Sequence, residues 1–262
     1  MNKPKILITS VRDQSKRMET ASKNVTERYG ILFVHGIVGN NRIFDFLRPL
    51  ISPNQGRYVI KNVELNGHGG NALDFSRASM SQWKTQVEEA VTDLGKQCEK
   101  IVAIGHSMGC LLVMEQASKN RMAGLFLLNP PMRIRLRLQL FTNALKVITG
   151  NTLQDPVASA AKEAYGISLD FNPLHYYGWH KRYIELFAEI IRAKKSLLPD
   201  IDCPVKVILS RRDEMVSLSS AEVFKELSNF NVTILPDSTH YYYSAKDREL
   251  ICREFTSFMS NL

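Results

Sequence analysis

This 262-residue chain has few cysteines, no long apolar run and no acidic excess, and each shortage excludes something. Its four cysteines, Cys98, Cys110, Cys203 and Cys252, stand far apart with no CxxC spacing. That argues against a disulfide-built scaffold or a zinc site and fits reduced thiols in a cytoplasm. No uninterrupted apolar stretch approaches the roughly 20 residues that cross a bilayer. The opening MNKPKILITSVRD places basic residues before an apolar run, but Thr9 and Ser10 break it. A secretory core needs roughly 7–15 apolar residues and a small-residue cleavage site, so the expected compartment is the cytoplasm. Neither an internal repeat nor a low-complexity linker is visible.

What is present is an ordinary globular mixture, 44% apolar and 23% charged, which excludes a disordered chain or a coiled coil. Lys and Arg outnumber Asp and Glu by 34 to 26, a formal charge of +8 that favours anionic partners. No basic run with interleaved aromatics accompanies that charge, so nucleic acid is not an expected partner.

Short apolar runs alternate with amphipathic segments. ILFVH (Ile31–His35), IVAIG (Ile101–Gly105), GLFLL (Gly124–Leu128) and VKVIL (Val205–Leu209) read as strands buried on both faces. YVIKNVEL (Tyr58–Leu65) is a more alternating strand and VTIL (Val232–Leu235) a weaker one, while the strands ahead of Ile31 look short. Trp83, Val87, Val91, Leu94 and Cys98 recur at helical spacing over Ser81–Cys98. Leu250, Ile251, Phe255 and Phe258 repeat the pattern, and a third helix should start near Ser107. The expected fold class is α/β, a doubly wound, mostly parallel sheet. About 75 residues between Leu128 and Val205 break the rhythm with helix-like pieces (Met132–Ile148, Thr152–Tyr165, Tyr183–Lys195). They predict a helical cap inserted at 130–200 into a core formed by 1–129 and 201–262.

The sharpest local signal is GHSMG, Gly105 to Gly109, which composition alone would produce about 0.06 times. A buried strand runs into it and a helix runs out, the setting of a nucleophile elbow that pushes the Ser107 oxygen out of the sheet. A serine hydroxyl needs a base, and the base needs an acid. His240 follows the VTIL strand, and Asp213 sits at the carboxyl end of VKVIL, with Glu214 and Asp237 as alternative acids. Ser107, Asp213 and His240 also fall in the chain order expected of such a sheet. His106 supports the turn, and His175 and His180 belong to the insertion. LNGHGGN (Leu65–Asn71) lacks the lysine of a phosphate loop and the helix start of a dinucleotide fingerprint. No metal-ligand spacing occurs, and no cofactor is expected.

On these motifs the sequence resembles the α/β-hydrolase superfamily over about residues 29–262, and within it carboxylesterases and monoacylglycerol lipases. Four pieces carry the resemblance: His35-Gly36 after the first buried strand, GHSMG, the Asp213 loop and the His240 loop. The acid loop departs from the family by starting with Ser210 where Gly is usual. The resemblance implies an oxyanion hole from the backbone N–H groups of Ile37 and Met108, supported by His35, Gly36, Gly105 and Gly109. It also implies that LNGHGGN shapes the site wall. The expected activity is hydrolysis of carboxylic esters through an acyl-enzyme on Ser107, with a small acyl ester as partner. Lysophospholipase, monoacylglycerol lipase, thioesterase and carbon–carbon hydrolase readings use the same parts, and a ligand-binding protein on the same fold needs none of them. Segment 131–200 holds ten Lys and Arg against six acids, half of the chain's excess. In MRIRLRLQLF, Arg133, Arg135 and Arg137 read as one broad face of a helix, suited to anionic substrates or transient contact with a lipid interface.

Overall fold

The computed structural model describes residues 27–51, 56–149, 152 and 154–262. The opening segment and the short strands expected ahead of Ile31 lie outside the described residues. Six strands follow: β1 (Tyr29–Val34), β2 (Tyr58–Val63), β3 (Lys100–His106), β4 (Gly124–Leu128), β5 (Val205–Ser210) and β6 (Phe230–Leu235). They form one sheet in the order β2-β1-β3-β4-β5-β6, every neighbouring pair parallel. The continuously apolar runs occupy the middle of the sheet, and the more polar β2 and β6 take its edges, where one flank needs no strand partner.

Alternation along each strand sends successive side chains to opposite faces. Leu32, Val34, Ala103, Leu125 and Leu127 face a core containing Trp83, Val87 and Leu94 of helix α2 (Met80–Gly95), which follows helix α1 (Ala72–Arg77). Helix α3 (Met108–Lys119) adds Leu111 and Leu112 to the same core. Ile31, Phe33, Ile104, Phe126 and Leu128 face the other way, where the C-terminal helix places Ile251 and Phe255. Helices on both faces make the sheet doubly wound. The chain leaves β1 towards one edge for β2 and returns to its other side for β3, so the strand order reverses between β1 and β3. Crevices at such reversals lie beyond the carboxyl ends of the strands.

Between β4 and β5 no described residue joins the sheet. Helices α4 (Leu138–Ile148), α5 (Pro156–Ala164) and α6 (Trp179–Arg192) make up about half of the insertion, and α7 (Ala245–Ser260) closes the described fold. One expectation is corrected here. The helix expected from Met132 begins only at Leu138; Arg133 to Arg137 are not helical, and Ile134 forms an antiparallel bridge to Val216. Arg135 N–H donates to the Met215 carbonyl at 2.9 Å, Arg137 N–H to that of Glu214 at 2.9 Å, and Ser217 N–H to that of Arg133 at 2.8 Å. The Arg-Ile-Arg-Leu-Arg-Leu alternation has the period of a strand, and the acid loop offers it a partner.

A charge cluster ties the insertion to the core. Glu115 of α3 is buried and contacts Lys119 at 2.8 Å, Lys84 of α2 at 3.3 Å and Arg192 of α6. Arg192 and Lys84 also reach Glu189. Burial alone would push the Glu115 carboxyl up, but the three cations outweigh it and hold it below the ordinary range. Glu115→Gln leaves Lys84 and Arg192 sharing Glu189 and removes the partner of Lys119, so it should cost about 2 kcal/mol, lowering Tm by about 4–8 °C. An unchanged melting temperature by calorimetry would mean that water already solvates these cations.

Candidate active site

Four loops meet beyond the carboxyl ends of the strands, and the register of the sheet decides where. Val34 of β1 pairs with Gly105 of β3. Three positions further along each strand stand Ile37 and Met108, so the two backbone groups expected to face an oxyanion leave neighbouring strands at the same height. Both residues are buried, and neither N–H donates to a described residue. Buried amides are almost always paired, which makes two unpaired ones side by side a place for an external acceptor.

Ser107 has φ 52° and ψ −122°, the strained elbow read from GHSMG. Its tightness explains the glycines around it. A Cβ on Gly36 would lie 2.8 Å from Ser107 Cβ, and one on Gly105 would lie 2.7 Å from the Cys110 backbone. A Cβ on Gly109 would collide with the Val34 carbonyl. The β1 and β3 loops therefore interlock only without side chains at these positions.

The acid question raised by the sequence has a geometric answer. His240 Nδ1–H donates to Asp213 Oδ2 at 2.7 Å, with both residues buried. Asp213 Oδ1 accepts the Met215 and Val216 N–H groups at 2.8 and 2.7 Å, fixing the carboxylate's orientation. Asp237 is on the surface and pairs with Arg212 at 2.8 Å. Glu214 takes a third position, where Oε2 accepts the His240 backbone N–H at 3.2 Å. Burial would push the His240 imidazole down, but the charge and hydrogen bond of Asp213, with the charge of Glu214, hold it above its ordinary value. Burial pushes the Glu214 carboxyl up. With Nδ1 carrying the proton, Nε2 presents a lone pair. It is buried and has no partner among the described residues. Ser107 Oγ makes no hydrogen bond to it in this structure.

Two supporting residues were not read from the sequence. Asn129, φ 50°, follows β4; its Oδ1 accepts the Ser210 N–H at 2.8 Å and its Nδ2 donates to the His240 carbonyl at 3.3 Å. It joins the acid strand to the histidine loop. Its signal was an Asn wedged between an apolar run and Pro130-Pro131. His106 Nε2–H donates to the same carbonyl at 3.0 Å, the turn-supporting part expected of it. His68 of LNGHGGN is the second. Its Nε2 accepts the Val38 N–H at 3.0 Å, and its Nδ1 lies 3.1 Å from the Leu65 carbonyl. Val38 has φ 52°, a strained conformation for a β-branched side chain, and it directly follows Ile37. His35 lies beneath, its Nε2 accepting the Leu65 N–H at 3.2 Å and its Nδ1 donating to the Gly36 carbonyl at 2.9 Å. His175 pairs with Asp170 at 2.8 Å inside the insertion, and His180 packs on Tyr177. Ser210, at the family's usual glycine position, is buried with its hydroxyl unpaired.

A cleft of about 500 Å³ opens beside this centre, lined mainly by apolar side chains of the insertion, among them Ile134, Leu136, Phe141 and Leu186. Its other wall holds Val38, Glu214 and Tyr241, each next in sequence to Ile37, Asp213 or His240. Among the described residues no cluster of His, Cys, Asp and Glu could hold a metal ion, and no helix is long and apolar enough to cross a membrane.

The His35–His68 pair generates a pH prediction. Burial lowers His35 to about 4, and burial with the neighbouring His35 lowers His68 to about 3. The unfolded chain takes up these protons near pH 6.5 and the folded one resists. Stability is therefore full above pH 6.5 and falls towards pH 4, by up to about 1.4 kcal/mol per unit for each ring. Urea unfolding at pH 7.5 and 5.0 should show this loss, to which the buried His106, also lowered by burial, adds; His68→Gln should remove roughly a third of it. A pH slope identical in that variant would contradict the assignment.

Solved structures share this architecture. One of two metagenome-derived lipolytic enzymes, LipS and LipT, is 23% identical with a TM-score of 0.68, over 91% of this chain and 96% of that one. A monoacylglycerol lipase of Paleococcus ferrophilus is 18% identical with a TM-score of 0.65, over 88% and 94%. A soluble variant of monoglyceride lipase from Saccharomyces cerevisiae, in complex with a substrate analog, is 12% identical with a TM-score of 0.66, over 91% and 88%. At these identities the likeness is one of fold. No curated protein matches the sequence. The profile of the alpha/beta hydrolase family, however, matches residues 31–251, a span that holds Ser107, Asp213 and His240, and this chain belongs to that family.

Proposed function

We propose that the protein hydrolyses carboxylic esters through an acyl-enzyme on Ser107. The observation that carries this reading is the buried His240–Asp213 pair at 2.7 Å, whose Nε2 has no partner among the described residues and whose ring packs against His106, the residue before the strained, positive-φ Ser107. In the proposed reaction Ser107 Oγ attacks the acyl carbonyl carbon and its proton passes to His240 Nε2. The oxyanion accepts the Ile37 and Met108 N–H groups, donors typically worth about 3–4 kcal/mol each. Collapse of the tetrahedral intermediate breaks the ester C–O bond, and the alcohol leaves with the proton from Nε2. Water then repeats the sequence on the acyl-enzyme, giving its proton to His240, and the acid departs as Ser107 regains a proton. Asp213 keeps Nδ1 protonated throughout and stabilises the imidazolium.

The apolar cleft beside the centre supports an acyl chain as the substrate's greasy part. The lipolytic and monoacylglycerol-lipase neighbours point the same way. Leu138, Phe141 and Leu145 are exposed on α4, next to Arg135 and Arg137, which supports transient contact with a lipid interface.

A fluorophosphonate probe should label the folded protein on Ser107, read by mass spectrometry of the labelled peptide. Ser107→Ala or His240→Ala should each lower kcat by roughly 10⁴–10⁶, with the double variant little worse than either. Asp213→Asn should cost about 10⁴ through the wrong tautomer. Because the neutral imidazole is the base and Asp213 holds it above its ordinary value, kcat/KM should rise with pH through an apparent pKa above 6.5. Absent labelling of folded protein would instead favour a binding protein on this fold.

A further inference from the structure

The apolar cleft turns polar where it meets the acid and histidine loops. Glu214 is only 2% exposed, and one of its oxygens is committed to the His240 backbone. Tyr165, Tyr183 and Tyr241 line the same cleft, and none of their hydroxyls bonds to a described residue. The four groups are near neighbours. Burial pushes the Tyr241 phenol up, and the adjoining Tyr183, Glu214 and Tyr165 add to that. All three phenols are therefore protonated and can donate as well as accept, whereas the carboxylate only accepts.

Among the described residues no Lys, Arg or His lines this cleft. The arginines expected from sequence to attract anions are elsewhere. Arg133 is paired with Glu222 at 2.6 Å, and the non-helical course of 133–137 turns Ile134 and Leu136, not the arginines, to the cleft. A carboxylate entering here would meet a buried like charge with no cation to offset it. A hydroxyl or ammonium group would find an acceptor on Glu214 and further oxygens on three phenols, none of which is engaged by another described side chain.

We propose that Glu214 is a specificity-determining residue. Its free carboxylate oxygen, with the hydroxyls of Tyr165, Tyr183 and Tyr241, receives a hydroxyl or ammonium group carried by the ester substrate and excludes a carboxylate. The inference rests on the ester-hydrolase reading and narrows it to neutral or cationic esters bearing a hydrogen-bond donor.

The test uses p-nitrophenyl esters of equal length whose acyl chains end in methyl, hydroxymethyl, ammonium or carboxylate, and a matched set of alkanoate esters varied at the alcohol end. In at least one set the wild-type protein should favour the hydroxyl and ammonium compounds over the carboxylate by about 10–100-fold in kcat/KM. Glu214→Gln retains an acceptor for the His240 N–H, so it should fold. It should shrink the ammonium-to-carboxylate ratio by at least about 10-fold. Tyr183→Phe should shrink the hydroxyl-to-methyl ratio while leaving the ammonium-to-carboxylate ratio the less affected. Equal rates for carboxylate and ammonium in both sets, or ratios indifferent to Glu214→Gln, would overturn the proposal. If no ester turns over and Ser107 is not labelled, the hydrolase reading has failed. The uncleavable amide analogues, titrated calorimetrically, then decide this one separately: tighter binding of hydroxyl and ammonium forms, lost in Glu214→Gln, upholds it, and indifference rejects it.

Discussion

The site depends on the close approach of two loops that leave β1 and β3 side by side. Parallel pairing sets Val34 against Gly105, and whatever follows each residue must share one small volume. Glycine at 36, 105 and 109 removes the atoms that would collide there. The result is a serine in a conformation that ordinary residues avoid, next to two unpaired amides. Such strain persists only where surroundings over-determine it. Here the β1 loop has the His68 ring on one side and the chain of the insertion on the other.

Electrostatics divide the molecule by burial. Histidines 35, 68 and 106 sit in apolar surroundings and are driven towards the neutral form, so each can accept or donate at a defined nitrogen. His240 is as buried, but two carboxylates reverse the balance. The same sheet therefore holds three imidazoles pushed towards the neutral form and one whose affinity for a proton is raised. The net positive charge of the chain plays no part in this. Among the described residues, the cleft beside the centre carries a single acidic group and no basic one.

Much of this was legible in the sequence because it follows from local patterns. Continuous apolar runs marked the central strands, period-two alternation marked the edge, and GHSMG combined a rare spacing with the right flanks. Asp213 and His240 were legible by position after strands. Other features were not, since they are made by distant partners. Asn129 matters because β5 and the histidine loop both come to it. Glu214 looked like a rival acid, and only the folded loop shows it bonded to the His240 backbone and open to the cleft. The segment 133–137 carries a strand's alternation, yet a lone strand has no meaning without the loop it pairs with. The apolar tail of MRIRLRLQLF, which does form a helix, drew the whole segment into the wrong period.

The insertion is stitched to the core by backbone on two sides. Its entry segment bonds to residues 214–217, directly after Asp213. Its middle passes between the β1 loop and the glycine loop, where Gly166 N–H donates to the Val38 carbonyl at 2.8 Å and Gly69 N–H to the Gly166 carbonyl at 2.6 Å. The same inserted segment is therefore hydrogen-bonded both to the loop that carries Asp213 and to the turn that follows Ile37, so moving it would break backbone bonds to both loops at once.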